Sequence, residues 1–162
     1  MDTVEKLNLT LNNPRYTRTE MLRKVCQCTA ELIPSANLIS IWHFDNYKQA
    51  VVSLINYDVS EGSWQQGLEL AKADYPEYFR NLFEKDVIVA SDARSHPATR
   101  GFSEQYFKPN DIYSLLDFIL HKDFTPSGVI CCESKGARVE WSPQDIDHIR
   151  MVATMISFFF DV

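Results

Sequence analysis

Four strand-like runs arrive in two closely spaced pairs, and this pairing restricts the fold more than anything else in the chain. "NLISIWHF" (37–44) and "AVVSLINY" (50–57) flank the polar "NYKQ". "IYSLLDFIL" (112–120) and "SGVICCES" (127–134) flank "HKDFTP". Runs rich in β-branched and aromatic residues favour strands, and connections this short join antiparallel neighbours rather than a parallel pair bridged by a helix.

Helical periodicity fills the rest. Thr17 opens "TRTE", the pattern of a capping box, and Met21, Val25, Cys28 and Leu32 then recur on one face until Pro34 stops the helix. "DYPEYFRNLFEK" (74–85) has Pro76 in its first turn and an apolar side of Tyr78, Phe79, Leu82 and Phe83. "ATRGFSEQYFK" carries a weaker helical pattern through Phe102, Tyr106 and Phe107. At the end, Ser142, Pro143 and Asp145 form the strongest helix-start signal, followed by an inward stripe of Ile146, Ile149, Ala153, Ile156 and Phe160. "DVIVA" (86–90) adds a short strand, and "DVSEGSWQQG" reads as a loop. The order predicts an α+β protein with an antiparallel sheet and helices on its faces. No GxGxxG follows a strand, and no phosphate-cradling GxxxxGKS or GxxxxGKT occurs, which argues against a doubly wound nucleotide-binding fold.

At 162 residues, with 45% hydrophobic and 23% charged residues, the simplest organisation is one globular domain over 17–162 after an extension at 1–16. The formal charge of -6 disfavours nucleic acid and anionic membranes as general partners. "MDTVEKLNLTLNNPR" is too polar for a signal peptide, and no apolar run reaches transmembrane length. The cysteine spacing forms no disulfide framework, so a reduced, cytoplasmic protein is expected. His43, His96, His121 and His148 are scattered, and no metal site is predicted. Phe158, Phe159 and Phe160 are consecutive, so a helix carrying them must present some aromatic surface outside a monomer's core.

The strings "SDAR", "SLLD", "GVICCE" and "WSPQDI", in that order, resemble a GAF domain, a small sensory fold related to PAS. The resemblance covers roughly residues 17–160. It points to the branch found in bacterial signalling proteins ahead of diguanylate cyclase, phosphodiesterase or histidine kinase modules. It implies a GAF-like, PAS-related central antiparallel sheet with the terminal helices on one face. The middle helices and loops would enclose a small-molecule pocket on the other. The string "DIP" of tetrapyrrole-binding relatives and the NKxxFxxxDE string of cyclic-nucleotide binders are absent. The cofactor is therefore unknown.

The segments that the resemblance places around the pocket supply the ligand candidates Tyr75, Tyr78, Phe79, Phe102 and Phe107, with Trp42 and Tyr57 from the first two strands. Any of these can stack on a planar ligand or simply make core. In "SDARSHPATRGF" (91–102), Arg94 and His96 are candidates for an anionic ligand edge. The structural reading of the same stretch has Asp92 bonding turn amides and Ser95 capping a helix begun by Pro97. Asp117 interrupts an apolar strand, so it needs hydrogen bonds or a cation. Arg94 or Arg100 is the expected partner, ahead of ligand contact. Cys131 and Cys132 must point to opposite faces of their strand, so only one can face a pocket; Cys131 is the candidate. Glu133 ends the strand and is expected to face water. No catalytic residue is assigned.

These readings lead to a non-catalytic sensor domain that binds a small molecule and signals through a homodimer built on helices 17–33 and 142–160 to an output domain. A ligand-free dimerisation module is the alternative. A small thiol enzyme is a further one, and it requires Cys131 or Cys132 beside His96.

Overall fold

The computed structural model describes residues 1–45 and 47–160. Asn46, in the expected "NYKQ" turn, and residues 161 and 162 lie outside the described residues. Helices α1 (Thr3–Leu11), α2 (Arg18–Leu32), α3 (Pro76–Lys85) and α4 (Pro143–Phe159) surround an antiparallel sheet. Its strands are β1 (Leu38–Phe44), β2 (Ala50–Asp58), β3 (Ser63–Gln65), β4 (Glu69–Ala71), β5 (Val87–Ala90), β6 (Ile112–Lys122) and β7 (Thr125–Lys135). They lie in the order β3-β2-β1-β7-β6-β5, with β4 pairing a second stretch of β2. Among the described residues, no helix is long and apolar enough to cross a membrane.

Both expected hairpins form. β1 pairs with β2, and β6 with β7, all antiparallel. β7 then pairs with β1, so the two hairpins become one sheet. The segment read as a loop contributes β3, and the residues just after it form β4, because their backbone groups complete the free edge of β2. Trp64 of β3 stacks on Tyr57 at 4.1 Å, and Arg23 lies over its ring at 4.9 Å.

Side-chain alternation divides the core. Ile39, Ile41, Leu116, Leu120, Ile130 and Cys132 face α2 and α4. Trp42, Phe44, Leu115, Ile119, Val129 and Cys131 face α3 and the 91–111 segment. A fully buried Leu, Ile or Phe contributes roughly 1.5–3 kcal/mol. A one-residue slip of register would exchange these two sets.

The predicted capping boxes at Thr17 and Ser142 are both formed. Residues 1–16, read as an extension, include α1, whose Asp2 makes a third capping box with Glu5 and whose Leu7 and Leu11 join the core. α2 buries more than the expected stripe: Leu22, Cys26 and Thr29 are buried along with Val25 and Cys28. On the side toward α1, Cys28 approaches the carbonyl of Thr3. In α4, Ile149, Ala153, Ile156 and Phe160 are buried as expected, while Phe158 is 78% exposed.

The weak helical pattern after residue 99 becomes a 3-10 turn at Arg100–Phe102 and a π turn at Ser103–Phe107. The Lys108 amide donates to the Ser103 carbonyl at 2.9 Å, and this wider turn brings Tyr106 and Phe107 together toward the sheet. Ser95 caps no helix. The Asp92 carbonyl instead accepts the amides of Ser95 and His96, and its carboxylate lies 3.7 Å from Arg138.

The β6–β7 turn is made by Asp123 and Phe124 alone, with φ of 51° and 64°. Positive φ at both central residues matches the twist of a tight hairpin, but it strains a side chain without local hydrogen bonding. Phe124 is fully exposed and gains no burial in return. Phe124→Gly is therefore expected to stabilise the fold by about 1 kcal/mol, read as an increased urea midpoint at unchanged m.

Candidate functional site

A chamber of about 210 Å³ opens on the sheet face opposite α2 and α4. Alternation along three adjacent strands builds its floor: Ser40 and Trp42 from β1, Val129, Cys131 and Glu133 from β7, Leu115 and Asp117 from β6. Tyr78 of α3 and the 102–107 turns, through Phe102, Tyr106 and Phe107, form the opposite wall. Leu68, Glu69 and Leu70 form a rim beside Val51. An adjoining chamber of about 270 Å³ shares Ser40, Leu68, Tyr106 and Glu133 and adds the more polar Asn56, Asp58, Gln65 and Lys135.

Two carboxyl groups stand in the floor with almost no access to water. Asp117 is 1% exposed; its Oδ2 accepts the Tyr78 hydroxyl at 2.5 Å and the Cys131 thiol at 3.2 Å. Among the described residues its Oδ1 has no hydrogen-bond partner. Glu133, on the neighbouring strand, is 7% exposed, and its Oε1 accepts the Tyr106 hydroxyl at 3.0 Å. Asp117 is in register with Cys131, which places Glu133 diagonally across the same face.

Burial dominates the electrostatics of both groups. Loss of hydration raises the Asp117 pKa to about 7, against the opposing effect of the Tyr78 and Cys131 hydrogen bonds. Loss of hydration, reinforced by the negative charge of Asp117, raises Glu133 to about 8, with Tyr106 acting the other way. Tyr78, Tyr106 and Cys131 are pushed upward too, first by burial and then by the neighbouring acids, so they remain protonated hydrogen-bond donors. The Trp42 indole donates to Ser40 Oγ at 2.7 Å, satisfying its N–H within the wall.

Of the side chains singled out by sequence, Trp42, Tyr78, Phe102, Phe107, Asp117 and Cys131 line the first chamber. Tyr57 lines the adjoining one. Tyr75 stacks on Phe102 at 4.0 Å and borders a separate surface hollow. Phe79 is fully buried core. Arg94 and His96 reach neither chamber. Arg94 Nε donates to the Ile112 carbonyl at 2.9 Å, and its guanidinium covers Tyr113 at 4.1 Å. His96 Nδ1 accepts the Ala98 amide at 3.0 Å, and partial burial, then Lys85, lower its pKa.

Two expectations are thereby overturned. Asp117 pairs with neither Arg94 nor Arg100: its Oδ2 takes the Tyr78 hydroxyl and the Cys131 thiol, Arg94 is held at the Ile112 carbonyl, and Arg100 borders the surface hollow beside Glu77. Glu133 does not face water: β7 continues beyond it, and Tyr106 covers it. The period-two sequence Val129, Cys131, Glu133 carried the signal for Glu133, but its position in "GVICCES" resembled a strand end. Cys131 and Cys132 do occupy opposite faces, and the Cys131–His96 arrangement required for a thiol enzyme is not formed. Among the described residues, no group of three or more His, Cys, Asp or Glu side chains is placed to hold a metal ion.

A sheet with a helical layer on one face and a chamber roofed by α3 and irregular turns on the other defines a two-faced fold of the α+β class. Comparison with solved structures identifies it as the GAF fold. The GAF domain of an Acinetobacter phosphoenolpyruvate-protein phosphotransferase matches with a TM-score of 0.74 at 13% identity, over 98% of this chain and 90% of that one. The chromophore-binding domain of Stigmatella aurantiaca phytochrome P1 matches with a TM-score of 0.74 at 14% identity, over 99% of this chain and 59% of that one. Free methionine-R-sulfoxide reductase from Neisseria meningitidis, in complex with its substrate, matches with a TM-score of 0.67 at 12% identity, over 98% and 86%. No protein-family model and no curated protein matches the sequence.

The buried acids give stability a definite pH dependence. Both folded pKa values lie above those of the unfolded chain, so this contribution is complete below pH about 4 and is lost as pH rises through about 7 and 8. Asp117→Asn and Glu133→Gln should each raise stability at pH 8.5 by on the order of 1–3 kcal/mol, with the gain vanishing near pH 4. Urea unfolding across that range measures the effect; a constant difference at every pH would contradict it.

Proposed function

We propose that the chain is a non-catalytic regulatory sensor domain whose chamber takes a small molecule and whose helical layer passes the bound state to an output domain. The observation that carries this reading is the chamber itself, walled by aromatics and buried polar groups on the face opposite α2 and α4. A module serving only dimerisation has no physical reason to maintain two buried carboxyls around a void. The Cys131 thiol, held protonated by burial and the flanking acids, is poorly suited to act as a nucleophile.

The route from chamber to helices is short. On β6, Asp117 alternates with Leu116 and Phe118, which pack under the helical layer. The His121 amide donates to Ser157 of α4 at 3.1 Å, and His148 Nδ1 lies 3.0 Å from the Leu32 carbonyl at the end of α2. A ligand that shifts β6 or β7 therefore acts on both helices. Control requires only that it bind two arrangements of those helices with different affinity.

The proposed homodimer uses helices 17–33 and 142–160, with Phe158 as an apolar contact. The acidic composition fits a cytoplasmic domain without a nucleic-acid partner. Native mass spectrometry of protein purified without denaturation should show a dimer that retains a small molecule. Phe158→Asp should shift the population toward monomer by sedimentation while leaving the melting temperature near that of the parent. A ligand-free monomer in the parent protein would refute the reading.

A further inference from the structure

We propose that the ligand of this chamber is a small organic cation bearing N–H donors, a protonated primary amine on a compact apolar frame, with its ammonium group held between Asp117 and Glu133. This inference rests on the sensor reading and assigns the chemistry of its ligand.

The first support is the distribution of charge. Glu69, Asp117 and Glu133 line the chamber, and no Lys, Arg or His does so among the described residues. In the adjoining chamber Lys135 is the basic lining residue, and its ammonium is 2.6 Å from Asp58 Oδ2. An anionic ligand would meet buried acids with no free cation to answer it. A cation meets two carboxyls placed diagonally on neighbouring strands.

The second support is the unsatisfied group. Asp117 lines the chamber, and its buried Oδ1 accepts no hydrogen bond among the described residues. Asn56 Oδ1, bordering the adjoining chamber, is also a buried acceptor without a partner. Both vacancies call for donors. A buried acceptor left unpaired is destabilising, and a charged donor reaching it makes one of the stronger hydrogen bonds available to a protein. A quaternary ammonium lacks the required N–H, which favours a primary amine.

The third support is the wall. Trp42, Tyr78, Phe102 and Phe107 surround the acids with ring surface that suits both an apolar frame and a cation. About 210 Å³ accommodates a monoamine of modest size.

Binding should be linked to protons. The titratable groups facing the acids are Glu69 at the rim, Tyr78 from α3, Tyr106 from the π turn and Cys131 from β7. The tyrosines and the cysteine stay protonated, leaving Asp117 and Glu133 to respond. An arriving ammonium favours their ionised forms, so the proton leaves the carboxyls for solvent and the amine keeps its own.

The test is calorimetry on the full chain with butylamine and 2-phenylethylamine, against 1-butanol, 2-phenylethanol, butyrate and phenylacetate. The amines should bind, at least about tenfold tighter at pH 8 than at pH 6, with proton release read from the buffer dependence of the heat. Asp117→Asn and Glu133→Gln should each weaken amine binding by roughly tenfold to a hundredfold, the loss of one charge-assisted hydrogen bond. Tighter binding of an alcohol or carboxylate overturns the cation assignment and leaves the sensor pocket standing. No binding by any probe also overturns the assignment. The sensor reading falls with it only if native mass spectrometry of the same preparation finds no retained small molecule.

Discussion

β7 is hydrogen-bonded along both sides, to β1 through Leu38–His43 and to β6 through nearly its whole length. The rest of the molecule depends on this double pairing. It joins a hairpin from the first third of the chain to one from the last third, and it fixes the register of three strands together. Period-two alternation then sends Ile130 and Cys132 to the helical layer and Val129, Cys131 and Glu133 to the chamber. The two faces are separate environments maintained by one ladder, and a shift in that ladder is felt on both.

The chamber is an electrostatic compromise within an otherwise apolar face. Burial makes ionisation of Asp117 and Glu133 costly, while the hydrogen bonds from Tyr78, Cys131 and Tyr106 soften the penalty without cancelling it. The donors come from α3, β7 and the π turn, so roof and floor are joined at the acids themselves. A purely structural apolar floor would hold these elements together more cheaply. Retaining acids there makes physical sense when something else uses them.

Much of the fold was legible from local pattern. The hairpins, the boxes at Thr17 and Ser142, the opposed faces of Cys131 and Cys132, and exposed aromatic surface near Phe158 all follow from short-range geometry. α1 was missed because it is nine residues long with two buried positions, Leu7 and Leu11, and its partner is another helix. β3 and β4 were missed because three-residue strands carry no periodicity; they exist by virtue of the edge of β2. The candidate site was less legible. Asp117 stood out as a charge in an apolar run, whereas Glu133 and Ser40 are tied to the chamber only by period-two spacing from Cys131 and Trp42.

The sequence by itself determined the strand pairs, the helix starts and the presence of a carboxyl that had to find partners. Those features depend on residues a few positions apart, whose geometry is set by backbone periodicity. Only the tertiary structure decided that the partners of Asp117 are Tyr78 and Cys131 rather than an arginine, and that Glu133 joins it out of water. Such choices depend on which side chains, from distant parts of the chain, the assembled fold places within hydrogen-bond reach of a buried oxygen. Arg94 sits at the Ile112 carbonyl and over the Tyr113 ring, leaving the acids in a chamber that no Lys, Arg or His lines among the described residues.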